Sequence, residues 1–185
     1  MDELRQLEEV MIASEEIFDG HVVHLFKDTV RLPNGNSAPR ETVRHVGAVA
    51  VVPLLDDGRV IVERQYRYPL GKVITEIPAG KLNYKGENPM DAAMRELAEE
   101  TGYTADEWIW LGEYYPAAAY TDEVIDMYLA KGLHKGEQNL DEDEFLNVMA
   151  VPLEKLVRDI MLCGIADGKT QAAILKTWLE VREES

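Results

Sequence analysis

Residues 95–102 read Arg-Glu-Leu-Ala-Glu-Glu-Thr-Gly and set three glutamates within five positions. In a helix, like charges three and four residues apart repel by ~0.2–0.5 kcal/mol per pair. At 100° per residue, Glu96, Glu99 and Glu100 fall within an arc of about 100°. Three converging carboxylates make a hard, oxygen-rich site. Mg²⁺ or Mn²⁺ prefers such ligands and keeps coordination positions for substrate phosphates. A solvated acidic face fits the same pattern in so acidic a chain, so the helix alone leaves both readings open.

The helix itself is well specified. Asn88 is a capping residue and Pro89 suits the first helical position. Asp91 puts negative charge in the first turn, where the helix dipole favours it. Met90, Ala93, Met94, Leu97 and Thr101 recur at helical spacing as an apolar stripe. Gly102 is placed to end the helix in the left-handed conformation. Arg95 stands one turn before Glu99 and can pair with it.

The glutamates belong to a longer pattern. Gly80 is followed after six residues by Glu87, and after seven more by Arg95-Glu96-Leu97-Ala98-Glu99-Glu100-Thr101-Gly102-Tyr103. This stretch resembles the Nudix box, the signature of the Nudix hydrolase family, although the Gly80–Glu87 interval is one residue longer than the family pattern. "IFDGHVVHLFKDTVRLPNG", "RETVRHVGAVAVVPL" and "VERQYRYPLGKVITEIPAGKL" extend the likeness from Ile17 to about Leu156. In these segments the chain is similar to the ADP-ribose pyrophosphatase branch of that family.

The resemblance implies a reaction and a set of roles. Nudix enzymes hydrolyse a nucleoside diphosphate linked to another group. Breaking a pyrophosphate bond needs charge neutralisation and a positioned water more than covalent help. Glu96 and Glu100 match the principal metal ligands, and the Ala79 carbonyl matches a further one. Glu99 matches a metal ligand or a partner of one, while Arg95 matches a residue that orients a carboxylate. The acidic segment "DEDEF" matches the loop that carries the general base. Glu142 is assigned there as base and Glu144 as metal ligand, and the two roles are interchangeable on sequence alone. Arg67 in "RQYRYP" matches the arginine that grips the pyrophosphate, a task suited to a bidentate guanidinium. Glu41 and Arg44 lie where the branch recognises adenine and phosphate. Phe26 fits a core aromatic or a stacking platform. Where the branch carries Pro-Gly beyond the box, this chain has Ala118-Ala119, with the nearby proline at Pro116.

The expected architecture is α+β: a Nudix fold, with a mixed β-sheet between helices, preceded by an antiparallel β appendage. The elements that must position these residues follow from periodicity and turn signals. Residues 3–14 read as a short amphipathic helix. "HVVHLFKDTVRL" and "APRETVRHV" read as hairpin arms around Asn34-Gly35. "GAVAVVPLL" reads as a buried strand, with "VIVERQYRY" as its hairpin partner across "DDGR". "VITEIPAG" is a short strand entering the box. Strands follow around "EWIWLGEYY", "VIDMYLA" and "FLNVMAV", then helices over roughly 152–163 and 170–182, with Cys163 as a buried helix residue. Residues 1–45 form the expected dimerisation segment and residues 46–185 the hydrolase domain.

Composition narrows the partners. A net charge of −16 disfavours binding to a nucleic-acid backbone, which needs clustered Lys and Arg. It also disfavours an RNA-decapping role. Nothing in the chain approaches the roughly 18 apolar residues of a membrane span. The acidic start "MDELRQLEEV" has no basic or apolar leader character, so a cytoplasmic location is expected. The single cysteine supports neither a disulfide framework nor a cysteine metal site. The expected activity is hydrolysis of ADP-ribose to AMP and ribose 5-phosphate by a homodimer with Mg²⁺, or Mn²⁺, as cofactor. The alternatives are another nucleoside diphosphate sugar such as GDP-mannose, or an ADP-ribose-binding sensor without hydrolysis. Retention of Glu96, Glu99 and Glu100 argues against the sensor.

Overall fold

The computed structural model of the chain describes residues 6–140 and 144–183. It divides into two compact units, one of Met1–Val46 with Ala117–Glu123 and one of Gly47–Pro116 with Val124–Ser185.

The first unit is a three-stranded antiparallel sheet of β1 (Val10–Asp19), β2 (His24–Arg31) and β3 (Ser37–Arg44) in that order. The β2–β3 hairpin turns at Asn34-Gly35, where Gly35 has φ 87°. The expected helix over residues 3–14 is not formed in its described part, because the chain is a strand from Val10 onward. Pairing with β2 from Val10↔Arg31 to Asp19↔His24 satisfies its backbone groups, and Arg40 Nε donates to Glu9 at 2.9 Å. This cross-strand pairing outweighs the local helical periodicity. Residues 117–123 join the unit through Val43, whose N–H donates to the Tyr120 carbonyl at 2.7 Å, and through Asp122, whose Oδ1 accepts the His45 N–H at 2.6 Å.

The second unit holds two sheets and three helices. One sheet orders as β7 (Ala79–Lys81), β4 (Ala48–Pro53), β9 (Ile125–Lys135), β8 (Tyr103–Tyr114), with β4 and β9 parallel. The other is antiparallel, β10 (Leu146–Pro152), β5 (Arg59–Arg67), β6 (Lys72–Glu76). The helices are α1 (Pro89–Thr101), α2 (Leu153–Met161) and α3 (Gly168–Glu183). Every residue of β4 is buried, as a strand covered on both faces requires. Ala48, Ala50 and Val52 join a core with Leu156, Ala173 and Ile174 of α2 and α3. The alternate Val49 and Val51 point to the other face, where α1 packs. Leu97 of α1 is fully buried, worth about 1.5–3 kcal/mol in transfer terms. Mixed sheet and flanking helices are the α+β arrangement expected.

Two local differences have clear causes. β4 and β5 are not a hairpin: one bridge, Leu54↔Val60, closes the Asp57-Gly58 turn, and then the strands part into different sheets. β5 is central between β10 and β6, so Val60, Ile61 and Val62 are all buried. Cys163 is exposed rather than buried, sitting just past α2 at φ 60°. Among the described residues no helix is long and apolar enough to cross a membrane.

Candidate active site

Helix α1 is built as its sequence specifies. Asn88 Oδ1 accepts the Met90 N–H at 3.0 Å, and Gly102 closes the helix at φ 73° with its N–H on the Ala98 carbonyl. A Cβ on Gly102 would meet the backbone N of Gln138 at 2.8 Å, so only glycine fits. The segment that packs there also receives the helix's terminal carbonyls. Gln138 Nε2 donates to the Glu100 carbonyl at 2.5 Å and the Asn139 N–H to the Glu99 carbonyl at 3.0 Å. The segment leading up to residue 140 is thereby tied to the glutamate helix. The buried stripe of α1 is Ala92, Ala93, Leu97, Glu100 and Thr101. Met94, expected in it, is 44% exposed, and Glu100 takes its place on the inner side.

The three glutamates therefore occupy different environments. Glu100 is 4% exposed, and its Oε2 accepts the Ala79 N–H at 2.9 Å. In an antiparallel ladder a residue's N–H and C=O leave the strand on the same side, so the Ala79 carbonyl faces as its N–H does. Glu96 Oε1 accepts from Arg95 Nη1 at 2.5 Å, and Glu99 Oε2 lies 3.5 Å from the same nitrogen. Arg95 Nη2 stands 3.6 Å from Glu87 Oε2. Arg95 is thus an organiser of Glu87, Glu96 and Glu99. The longer Gly80–Glu87 interval is absorbed in a turn closed by the Glu87 N–H on the Tyr84 carbonyl at 3.2 Å. Glu87 still reaches Arg95, and its Oε2 also accepts the Asn83 N–H at 2.5 Å.

Gly80 is the seat of Glu96. A Cβ there would lie 2.0 Å from Glu96 Cδ and within 2.3 Å of both its oxygens. Gly80→Ala must therefore evict that carboxylate, which is the flexible end of a side chain. We expect Gly80→Ala to melt within a few degrees of the parent while its hydrolytic kcat falls by about 10–100-fold. Thermal melts and steady-state rates together check this, and parent-like kcat would remove Glu96 from the site.

The box is backed by charged groups from distant strands. Glu63 of β5 is 1% exposed, and neither of its carboxylate oxygens has a hydrogen-bond partner among the described residues. Opposite it across the β5–β6 ladder stands Glu76, 2% exposed. Glu76 Oε2 accepts Arg67 Nε at 2.7 Å and Oε1 accepts Lys169 Nζ at 2.5 Å. Burial first, and then Glu76, pushes the Glu63 carboxyl up to about 7. Burial, then Glu63 and Glu96, pushes Glu100 up to about 9. Burial also raises Glu96, against the opposing pull of Arg95. Glu63, Glu76 and Lys169 were not among the residues expected from sequence. The signal was there for the acids: each directly follows a run of β-branched residues, Glu63 after Val60-Ile61-Val62 and Glu76 after Val73-Ile74-Thr75.

A divalent cation fits this donor set. The oxygens are hard, neither buried oxygen of Glu63 has a partner among the described residues, and burial followed by neighbouring carboxylates raises the Glu63 and Glu100 carboxyls. Among the described residues no three His, Cys, Asp or Glu side chains stand ready-grouped around a metal position. Glu96 is on Arg95 and Glu100 on Ala79. Glu144 adds its charge to those bearing on Glu63, Glu96 and Glu100, whereas Glu142 lies outside the described residues. Arg67 spends only Nε on Glu76, so its two Nη groups make no hydrogen bond to a described residue.

Glu41, Arg44 and Phe26 belong to the first unit. Arg44 is stacked on the Phe26 ring, Cζ 3.6 Å from the centroid, and donates to Ser14 Oγ at 2.9 Å. Phe26 is thus a platform for Arg44. Glu41 is exposed.

The chain matches the family model described as NUDIX domain over residues 44–167. It is 44% identical over 182 residues to the ADP-ribose pyrophosphatase of Bacillus subtilis (strain 168), covering 97% of each chain. It is 45% identical over 178 residues to a methanol dehydrogenase activator of Bacillus methanolicus, covering 95% of each. A solved structure described as an ADP compounds hydrolase superposes with a TM-score of 0.79 at 22% identity, over 97% of this chain and 98% of that one. That likeness concerns the fold.

Proposed function

We infer the reaction from the premise that the chain belongs to the Nudix family: it hydrolyses the pyrophosphate bond of ADP-ribose to AMP and ribose 5-phosphate. The observation that carries this reading is the pair of glutamates on the strand–loop–helix, Glu100 buried on the Ala79 N–H and Glu96 half-buried on Gly80, backed by buried Glu63 of β5. The 44% identity to an ADP-ribose pyrophosphatase across nearly the whole chain supports the substrate.

Glu96, Glu100 and the Ala79 carbonyl would hold the cation, with Glu99 beside them. An all-oxygen donor set favours Mg²⁺, with Mn²⁺ as substitute. When bound, the ion neutralises phosphate charge and lowers the pKa of water. The chain's own residues do the rest. Arg67 binds the pyrophosphate through its Nη groups, which bond to no described residue. Arg95 keeps the carboxylates in register. Glu142 takes the proton as water attacks phosphorus and the bridging P–O bond breaks, and Glu144 would complete the cation site. Glu41 and Arg44 are candidates for adenine and phosphate recognition, Glu41 being the less encumbered. Ala118-Ala119, in place of the Pro-Gly of the branch pattern the sequence resembles, favours another nucleoside diphosphate sugar such as GDP-mannose as the second reading.

Incubation with ADP-ribose tests the reaction itself. AMP and ribose 5-phosphate are expected in equal amounts with Mg²⁺ and are absent with a chelator. Intact ADP-ribose under both conditions would overturn the reading.

The assembly is read as a homodimer formed through residues 1–45. Strand β1 exposes Val10, Met11, Ile12, Ile17 and Phe18, an apolar run that monomers seldom leave in water. Sedimentation should give twice the 20.9 kDa chain mass, and a monomer alone would contradict it.

A further inference from the structure

Glu76 distributes its two oxygens between two cations. Oε2 takes Arg67 Nε at 2.7 Å, and Oε1 takes Lys169 Nζ at 2.5 Å. Lys169 comes from the first turn of α3, and its side chain is 10% exposed. Its Nζ is held a second time by Asp167 Oδ2 at 3.1 Å. The same Asp167 oxygen accepts the Thr170 N–H at 2.9 Å and its hydroxyl at 2.6 Å, and so caps the helix. Thr170 Oγ1 in turn accepts the Ile77 N–H at 3.0 Å. The first turn of α3 therefore grips the end of β6 at two consecutive residues, Glu76 and Ile77.

This arrangement bears on Arg67. A carboxylate with both oxygens available takes a guanidinium bidentately, through two nitrogens at once. Here Oε1 is occupied, so Arg67 meets Glu76 by one bond through Nε, and neither Nη group bonds to a described residue. We propose that Lys169 is a positioning residue for substrate binding, holding the Glu76–Arg67 contact to a single bond so that the Arg67 fork faces the pyrophosphate. This rests on the reading of Arg67 as the pyrophosphate-binding arginine. Without Lys169, Glu76 can draw an Nη group onto Oε1, and the fork turns from the substrate to the protein.

The expected result for Lys169→Met is a KM for ADP-ribose raised about tenfold, with kcat within about twofold of the parent. Lys169→Arg should restore most of the KM, because it can again occupy Oε1. In an Arg67→Lys background, Lys169→Met should raise KM no further, since no fork remains to be freed. ¹⁵N spectra of the Arg67 guanidinium, taken without substrate, should shift in Lys169→Met. If Lys169→Met does not fold, Lys169→Gln serves, its amide giving an intermediate KM. Unmoved Arg67 signals, an unchanged KM, or KM effects that multiply in the double variant would overturn the proposal. An Arg67→Lys variant with parental KM, alongside shifted Arg67 signals, would instead overturn the role of Arg67 in binding substrate.

Discussion

Glu100→Gln should fold and should hydrolyse ADP-ribose about a thousandfold more slowly than the parent. Glutamine keeps the shape of the side chain and can still accept the Ala79 N–H, but it removes the charge that holds a cation. The same substitution should change stability in the opposite direction. Burial and two neighbouring carboxylates push Glu100 from an ordinary 4.5 up to about 9, and Glu63 reaches about 7. Both are acids whose pKa rises on folding. Their contribution is therefore fully present below the unfolded value near 4.5 and is lost as pH rises through about 7 and then about 9. In chelator the parent's melting temperature should fall between about pH 6 and pH 9. Mg²⁺ should reduce that fall by binding the ionised form, and Glu100→Gln should remove the part of it above about pH 7, with or without the ion, leaving the part due to Glu63. A parent that gains stability with rising pH in chelator, or a Glu100→Gln variant with parental rates, would contradict this assignment.

Arg67→Lys should lower kcat/KM for ADP-ribose by about a hundredfold, chiefly through KM. Two charge-assisted hydrogen bonds at about 1.5 kcal/mol each correspond to that factor. Lysine retains the positive charge and can still meet Glu76, so the buried carboxylate keeps a partner and the melting temperature should change little. Lysine lacks the fork, and one ammonium cannot serve Glu76 and two phosphate oxygens in the same geometry. Steady-state kinetics beside thermal melts separate the two effects. A parental KM would show that the phosphates are held elsewhere.

What could be read from sequence follows the range over which each feature is specified. The glutamate helix was legible in its extent, cap and terminal glycine, because these lie in one contiguous stretch governed by one period. Gly80 was legible as part of a motif, although the reason for it, the Glu96 carboxylate lying on its Cα, needed coordinates. Glu63, Glu76 and Lys169 meet only through β5–β6 pairing and the docking of α3. Glu76 and Lys169 are 93 positions apart, and no local pattern spans that distance. The reading of residues 3–14 as a helix failed for the same reason, since their partner strand lies elsewhere in sequence. Met94 was misassigned because helical spacing alone does not distinguish it from Glu100 at the edge of the stripe. Glu142 lies outside the described residues.

Relative specificity decides the substrate. Initial rates with Mg²⁺ would be compared for ADP-ribose, GDP-mannose and a nucleoside triphosphate, with products identified. A kcat/KM for ADP-ribose at least about tenfold above the others is the predicted result, with AMP and ribose 5-phosphate as products and no turnover in chelator. Preference for another compound, or hydrolysis that survives the chelator, would contradict the account.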